Sequence, residues 1–303
     1  LISHLQGLSE DIALIPQLSG VDVAIAGGGD ELLANEGDLL VPGDDFGGRV
    51  GPYPLTEDPE TSAAIVNADG ALVPVVTTPG DLKYLGRLIV NFDAAGNVTG
   101  IDDRSGLVRV AGGDNPDAVR PDFLINRLVV HPVQESVDAL AANVIATGEV
   151  ALEGRRSPGI RTEETNLGNL CADSLLWQAN QLAADFGQPD ADIAIQNGGG
   201  IRNNNLIPPG DITELTTFDI LPFSNFVTII PDLPYSQIKE IFENAVSRVE
   251  DVSGRFAQVA GMTLVYDPDG TPQELDAAGN VVVEGSRVVD ITLDDGTVVV
   301  AGG

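Results

Sequence analysis

Apolar residues follow two different rhythms in the first third of the chain. "DIALIPQLSG" (11–20) spaces them as a short amphipathic helix does, whereas "VDVAIAGGGD" (21–30) is a near-continuous apolar run that ends in glycines, the pattern of a buried parallel strand. Residues 36–72 are rich in Gly, Pro and Asp and read as loops. "VPVVTTPGDLKYLGRLIVNFDAAGNVTGI" (73–101) alternates well enough for two or three antiparallel strands, with a turn at "DAAGN". A polar, turn-prone break, "AGGDNPDAVRPD", covers 111–122.

Beyond the break the pattern becomes helical. Val133, Val137, Leu140, Val144 and Ile145 recur at helical spacing behind Pro132, which predicts a helix over 132–146. His131 stands just before it and reads as structural. A second helix is predicted over 166–187, with Thr165 as N-cap and Gly187 as its stop. Strands at 191–197 and 226–233, a helix at 235–249, a strand at 258–267, a "DPDG" turn and a hairpin over 286–300 follow. The whole reads as a mixed α/β (α+β) chain with divisions at 1–120, 121–148 (a connecting helix region) and 149–303, without an internal repeat.

Length and charge narrow the function. At 303 residues there is room for two cores. The net charge of −31, with Lys83 and Lys239 the only lysines, repels nucleic-acid backbones and anionic membranes, so neither is an expected partner. No run approaches the roughly 18–20 apolar residues of a membrane span. Cys171 is the single cysteine, so no internal disulfide is possible. Leu1 is not an initiator methionine, and the chain reads as an excised or processed piece.

"QNGGGIRNNN" (196–205) concentrates the candidate chemistry. Three glycines after an apolar run are either a plain turn or a place where something comes close to the backbone. Arg202 at their exit offers a rigid donor fork, Asn197 an amide, and Phe223 a flat ring on which a base can stack. Without further support the triplet is a turn, Phe223 is core packing and Arg161 is half of a surface ion pair.

Four segments in register tip the balance. "LEGRR…RTEETNLGNLCAD" (152–173), "DIAIQNGGGIR" (192–202), "GDITELTTFDILPFSNFVTI" (210–229) and "GSRVVDITLDDG" (285–296) resemble the bacterial and animal 5′-nucleotidases, in order and spacing. "LISHLQG" and "TTPGDLKYLGRLIVNFD" are similar to parts of that family's metallophosphoesterase domain. The resemblance implies the rear of a metallophosphoesterase domain over 1–120, a linker helix region, and an incomplete C-terminal substrate-binding domain over 149–303. It implies a phosphomonoester hydrolase acting on nucleoside 5′-phosphates with two divalent metal ions, of Mn²⁺, Mg²⁺, Ca²⁺ or Zn²⁺ type, and a periplasmic or secreted location. Carried over by motif, Arg161, Asn197, Gly199, Arg202, Phe223 and Asn225 are the expected substrate contacts. Arg155, Arg156, Glu163 and Glu164 read as solvated surface.

The resemblance breaks at the metal site. Where the family carries ligand histidines this chain has "GGGDEL" (27–32), which places Gly29 and Glu31 at those positions. Losing imidazole shifts preference toward oxygen-binding cations. His4 and Glu31, with Asp30 beside it, are the remaining metal candidates. No catalytic residue is expected within 1–303, because the family's leading metal motifs precede the position where this chain starts. Phosphoester hydrolysis is therefore expected of the parent protein rather than of this piece. A binding protein that kept a nucleoside pocket without catalysis, and an acidic extracellular structural module, are the alternatives.

Overall fold

The computed structural model describes all residues except Asn225, Ala277, Gly302 and Gly303, and divides into two units, Leu1–Phe123 and Leu124–Gly303. In the first unit the elements are β1 (Ile2–Ser3), α1 (Leu8–Leu14), β2 (Ala24–Ala26), β3 (Val75–Val76), β4 (Tyr84–Arg87), β5 (Val90–Phe92), β6 (Val98–Ile101) and β7 (Gly106–Arg109). β1, β2 and β3 form a parallel sheet in that order. The buried parallel strand expected over 21–30 is its centre, and its alternate residues Ala24 and Ala26 enter a core with Leu8, Ile15, Leu33, Leu55, Val73 and Val75. β4 pairs with β7 and β5 with β6, both antiparallel. The β5–β6 turn is "DAAGN", closed by Asp93, which accepts from the backbone N–H groups of Ala95 and Asn97 and from the Asn97 side chain.

The chain enters the second unit within α2 (Phe123–Ile125), and a wider π turn, Asn126–Val130, runs into α3 (His131–Ala142). Helix therefore begins well before Pro132. The π turn takes the strain: the His131 N–H reaches back to the Asn126 carbonyl just ahead of the proline that cannot donate. His131 itself lies on the helix and is exposed. Val144 and Ile145, expected on that helix, instead lie in β8 (Val144–Gly148). Asn143 leaves helical geometry, and the β-branched pair is taken up by sheet pairing.

The remaining elements are β9 (Leu152–Glu153), α4 (Asn166–Leu182), β10 (Ala194–Asn197), β11 (Leu206–Ile207), β12 (Gly210–Thr213), α5 (Glu214–Ile220), α6 (Tyr235–Ala245), β13 (Ala257–Ala260), β14 (Met262–Tyr266), β15 (Glu274–Leu275), β16 (Val281–Val283), β17 (Val288–Leu293) and β18 (Val298–Val300). β8 pairs with β12, β9 with β11, β10 with β13, and β15 with β16, while β14, β17 and β18 form one meander. The single strand expected over 258–267 is broken at Gly261, whose φ of +77° turns β13 and β14 toward different partners. The strand expected over 226–233 does not form among the described residues; the run ends at Pro231 and Pro234 and finds no neighbouring ladder. α5 was not anticipated, although its capping box, Thr213 with Thr216, is written in the sequence.

Two apolar clusters fill this unit. Phe242, Val246, Phe256, Met262, Val288 and Ile291 join α6 to the sheets. Ile160, Leu167, Cys171, Ile201 and Ile220 form the second, and this one carries the candidate site.

Candidate substrate-binding site

Two of the expected arginines are placed by the isoleucines that precede them. Ile160 and Ile201 are 0% and 1% exposed and belong to one buried cluster, so Arg161 and Arg202, the next residues, leave the same patch of core toward the surface. Arg161 ends a tight loop, Arg156–Ile160, in which Ser157 and Pro158 are extended and Gly159 has φ +148°. The loop is closed by the Ile160 N–H on the Arg155 carbonyl at 2.9 Å and the Arg161 N–H on the Arg156 carbonyl at 3.2 Å. The second bond holds Arg156 and Arg161 side by side. Asn204, at φ +45°, accepts the Arg156 N–H at 3.1 Å and ties the loop to the asparagine run.

The glycine triplet leads from β10 to Arg202 through a single 3₁₀ turn. Two of its glycines are required by neighbouring backbone. A Cβ on Gly198 would lie 2.4 Å from the Ile160 carbonyl oxygen, and one on Gly199 would lie 3.0 Å from the Cα and O of Gly254. Bare backbone lets Gly198 N–H reach the Phe256 carbonyl at 2.7 Å and Gly199 N–H reach that of Gly254 at 2.8 Å. The Asn197 amide donates to the same Gly254 carbonyl at 3.2 Å. Arg202 is held by its N–H on the Ile220 carbonyl, 2.9 Å, and by Nη1 on the Gly199 carbonyl, 3.2 Å. Its guanidinium carbon stands 5.6 Å from the centre of the Phe223 ring, which is 54% exposed rather than packed in the core. Asn225 lies outside the described residues.

Three cations thus gather: Arg202 against Gly199, Arg161 beside Gly254, and Arg156 next to Arg161. Burial, followed by the charges of Arg156 and Arg202, pushes the Arg161 guanidinium below its ordinary value. Among the described residues none of the ion pairs engages Arg156, Arg161 or Arg202. The Nε atoms of Arg156 and Arg161 are buried without a hydrogen-bond partner. Arg156 is therefore not the solvated surface residue its sequence context implies. Arg155 is: it is exposed and pairs with Glu153 at 2.5 Å. In a chain of net charge −31, an unpaired arginine cluster is a place for an anion.

A family model, "5′-nucleotidase, C-terminal domain", matches residues 144–301. The chain belongs to the 5′-nucleotidase family. It is 34% identical over 194 residues to the trifunctional nucleotide phosphoesterase protein YfkN of Bacillus subtilis, covering 63% of this chain and 12% of that one. It is 29% identical over 273 residues to the 5′-nucleotidase of Bos taurus, covering 88% of this chain and 42% of that one. The crystal structure of a 5′-nucleotidase precursor from Thermus thermophilus aligns with all of this chain at a TM-score of 0.56 and 31% identity, over 52% of its own length. The chain thus spans about half or less of the length of these three relatives.

The metal centre that this 5′-nucleotidase family implies is not built by these residues. Among the described residues no group of three or more His, Cys, Asp or Glu side chains can hold a metal ion. Glu31 Oε1 accepts the Leu8 N–H at 2.8 Å and so caps the start of α1, while Oε2 is buried without a partner. A Cβ at Gly29 would lie 1.8 Å from that Oε2, so glycine at 29 is what admits the Glu31 carboxylate. Asp30 is tied to the Gly80 N–H at 3.2 Å, and His4 is exposed beyond β1. This donor set does not fit a dinuclear site.

The residues that motif reading missed are Arg156, Asn204 and Gly254. Arg156 had a signal in its spacing from Arg161 across a Pro-Gly turn; Gly254 is brought in only by the β10–β13 pairing.

Proposed function

We propose that the second unit binds the nucleoside 5′-phosphate of a 5′-nucleotidase. Arg156, Arg161 and Arg202 take the anionic phosphate and ribose edge, the half-exposed face of Phe223 stacks on the base, and Asn197 and the Gly199 backbone line the approach. Asn225 is included by its motif alone. The observation that carries this reading is the Arg161 guanidinium, partly buried near two like charges and, among the described residues, without an ion-pair partner. A phosphate supplies the missing charge, and the fork of an arginine suits its oxygens.

Hydrolysis of the phosphoester, with divalent metal ions held by other residues and an exported location, is proposed for the whole protein. No residue of this chain is given a catalytic role. His4 and Glu31 have no part in holding those ions, since Glu31 already serves α1 and His4 stands exposed beyond β1.

Calorimetric titration of AMP and adenosine, with phosphate assayed in the same cell in the presence of Mn²⁺, tests it. AMP is expected to bind more tightly than adenosine, the difference to vanish in Arg161→Ala, and no enzyme-like turnover to appear. Absence of AMP binding at millimolar concentration overturns the reading.

A further inference from the structure

Gln258 is the most thoroughly engaged buried side chain near the site. It is 1% exposed and sits on β13, facing the start of α4. Its Nε2 donates to two carbonyls, Ile160 and Glu163, each at 2.9 Å, and its Oε1 accepts the Thr165 N–H at 3.3 Å. The two carbonyls bracket Arg161. A Cβ on Gly168 would lie 2.0 Å from Oε1 and 2.6 Å from Cγ, so the first turn of α4 is left bare at the place this side chain fills.

We infer that Gln258 is a positioning residue for Arg161, the amide that fixes the height at which its guanidinium stands beside Gly199 and Gly254. The inference rests on the proposed nucleotide site. A glutamine is required because the position needs two donors on one atom and an acceptor on the other, directed at backbone groups that have no other side-chain partner here. Leaving those carbonyls unpaired in the interior costs free energy, so loss of the amide releases the 160–163 segment instead. Three bonds from one rigid terminus, on a residue from a different strand, also explain how a guanidinium can be held close to two like charges in the free chain. The backbone that carries it is fixed from behind.

The test is a double-mutant cycle of Gln258→Glu with Arg161→Ala, read as AMP affinity by calorimetry, with Thr165→Ala as a folding control. Gln258→Glu keeps the shape but turns an acceptor toward two carbonyls; Gln258→Asn, too short to reach them, serves if the first variant does not fold. Either variant is expected to raise the Kd for AMP about tenfold. It should add nothing once Arg161 is alanine, while Thr165→Ala lowers the melting temperature and leaves Kd unchanged. In parallel, the Arg161 Nε–Hε resonance of the ligand-free chain should move in the Gln258 variants and not in Thr165→Ala. A folded Gln258 variant that binds AMP within about twofold of wild type, or that weakens binding equally without Arg161, overturns the positioning role and leaves the nucleotide site standing. If wild type binds no AMP, the nucleotide reading falls, and an unmoved Arg161 resonance then overturns the positioning role on its own.

Discussion

Arg202 covers one side of Phe223, with its guanidinium carbon 5.6 Å from the ring centre. The ring is thereby oriented without being buried, which leaves a flat surface for a second planar group. A base stacked there is worth roughly 1–3 kcal/mol. Phe223→Ala should therefore weaken adenosine binding by about fivefold to a hundredfold, in line with that range. Because Arg202 leans on the same ring, its own alanine variant should cost less in the Phe223→Ala background than in wild type. Calorimetry on the four chains of the cycle measures both effects.

Gly198 and Gly199 make a sharper prediction, since the atoms that would crowd a side chain there most closely are backbone. Gly199→Ala places a methyl 3.0 Å from the Gly254 Cα and O, and strains the bond between the Gly199 N–H and the Gly254 carbonyl. It is expected to destabilise the second unit by about 1–3 kcal/mol, the scale for strained packing, and to weaken AMP binding with it. Gly112→Ala meets nothing within 4 Å and should leave stability unchanged. Denaturant melts of the two variants check the contrast.

The same contrast marks what could be read before the fold was known. Local chemistry was legible: Thr165 accepts the Gly168 N–H and caps α4, Gly187 stops the helical run with φ +65°, and "DAAGN" makes its turn. Motif order singled out Asn197, Arg202 and Phe223, and the structure sets Arg202 against both the Gly199 carbonyl and the Phe223 ring. What failed depends on partners distant in sequence. Val144 and Ile145 suit a helix or a strand, and only β12, more than sixty residues on, decides for strand. The run 226–233 reads as a strand by composition, but it has no ladder to join among the described residues. Arg156 looks solvated until the Arg161–Arg156 backbone bond and the Asn204 side chain fold it against the site. Glu31 offered metal-ligand chemistry, yet its carboxylate is taken by the Leu8 N–H, twenty-three residues earlier.

Cys171 reports on the integrity of the core beneath the arginines. It is 5% exposed in the cluster of Ile160, Leu167 and Ile201, and burial pushes its thiol up to about 12. The thiolate is the reacting species, so the folded chain should be inert to a disulfide reagent at pH 8 and react fully once denaturant unfolds this unit. If AMP binds the proposed site, adding it should slow the reaction at intermediate denaturant, because a ligand bound only to the folded form suppresses opening. A Cys171 that reacts at once in native buffer would contradict the packing.

The last prediction concerns acid. Arg287 is 6% exposed and spends its donors on the Gly270 and Val246 carbonyls and on Glu250, whose carboxylate it reaches at 2.7 Å. Hydrogen bonding to Arg287, then to backbone, holds the Glu250 carboxyl below its ordinary 4.5. The folded value is depressed relative to the unfolded one, so the unfolded chain binds more protons between the two. The stabilisation is complete above about pH 4.5 and is lost as pH falls through the folded value. The Glu250 side chain is 57% exposed, and solvent screening limits the pair to about 1 kcal/mol or less. Glu250→Gln should therefore melt slightly below wild type at pH 7, and the gap should close as the pH is lowered past 4.5. Arg287→Met removes a buried guanidinium along with its two carbonyl bonds, and should cost more than Glu250→Gln at every pH, because those carbonyls are left unpaired in the interior. Thermal melts of the three chains from pH 7 to pH 3 decide it: a gap for Glu250→Gln that stays constant with pH would mean that the ion pair contributes nothing to the fold.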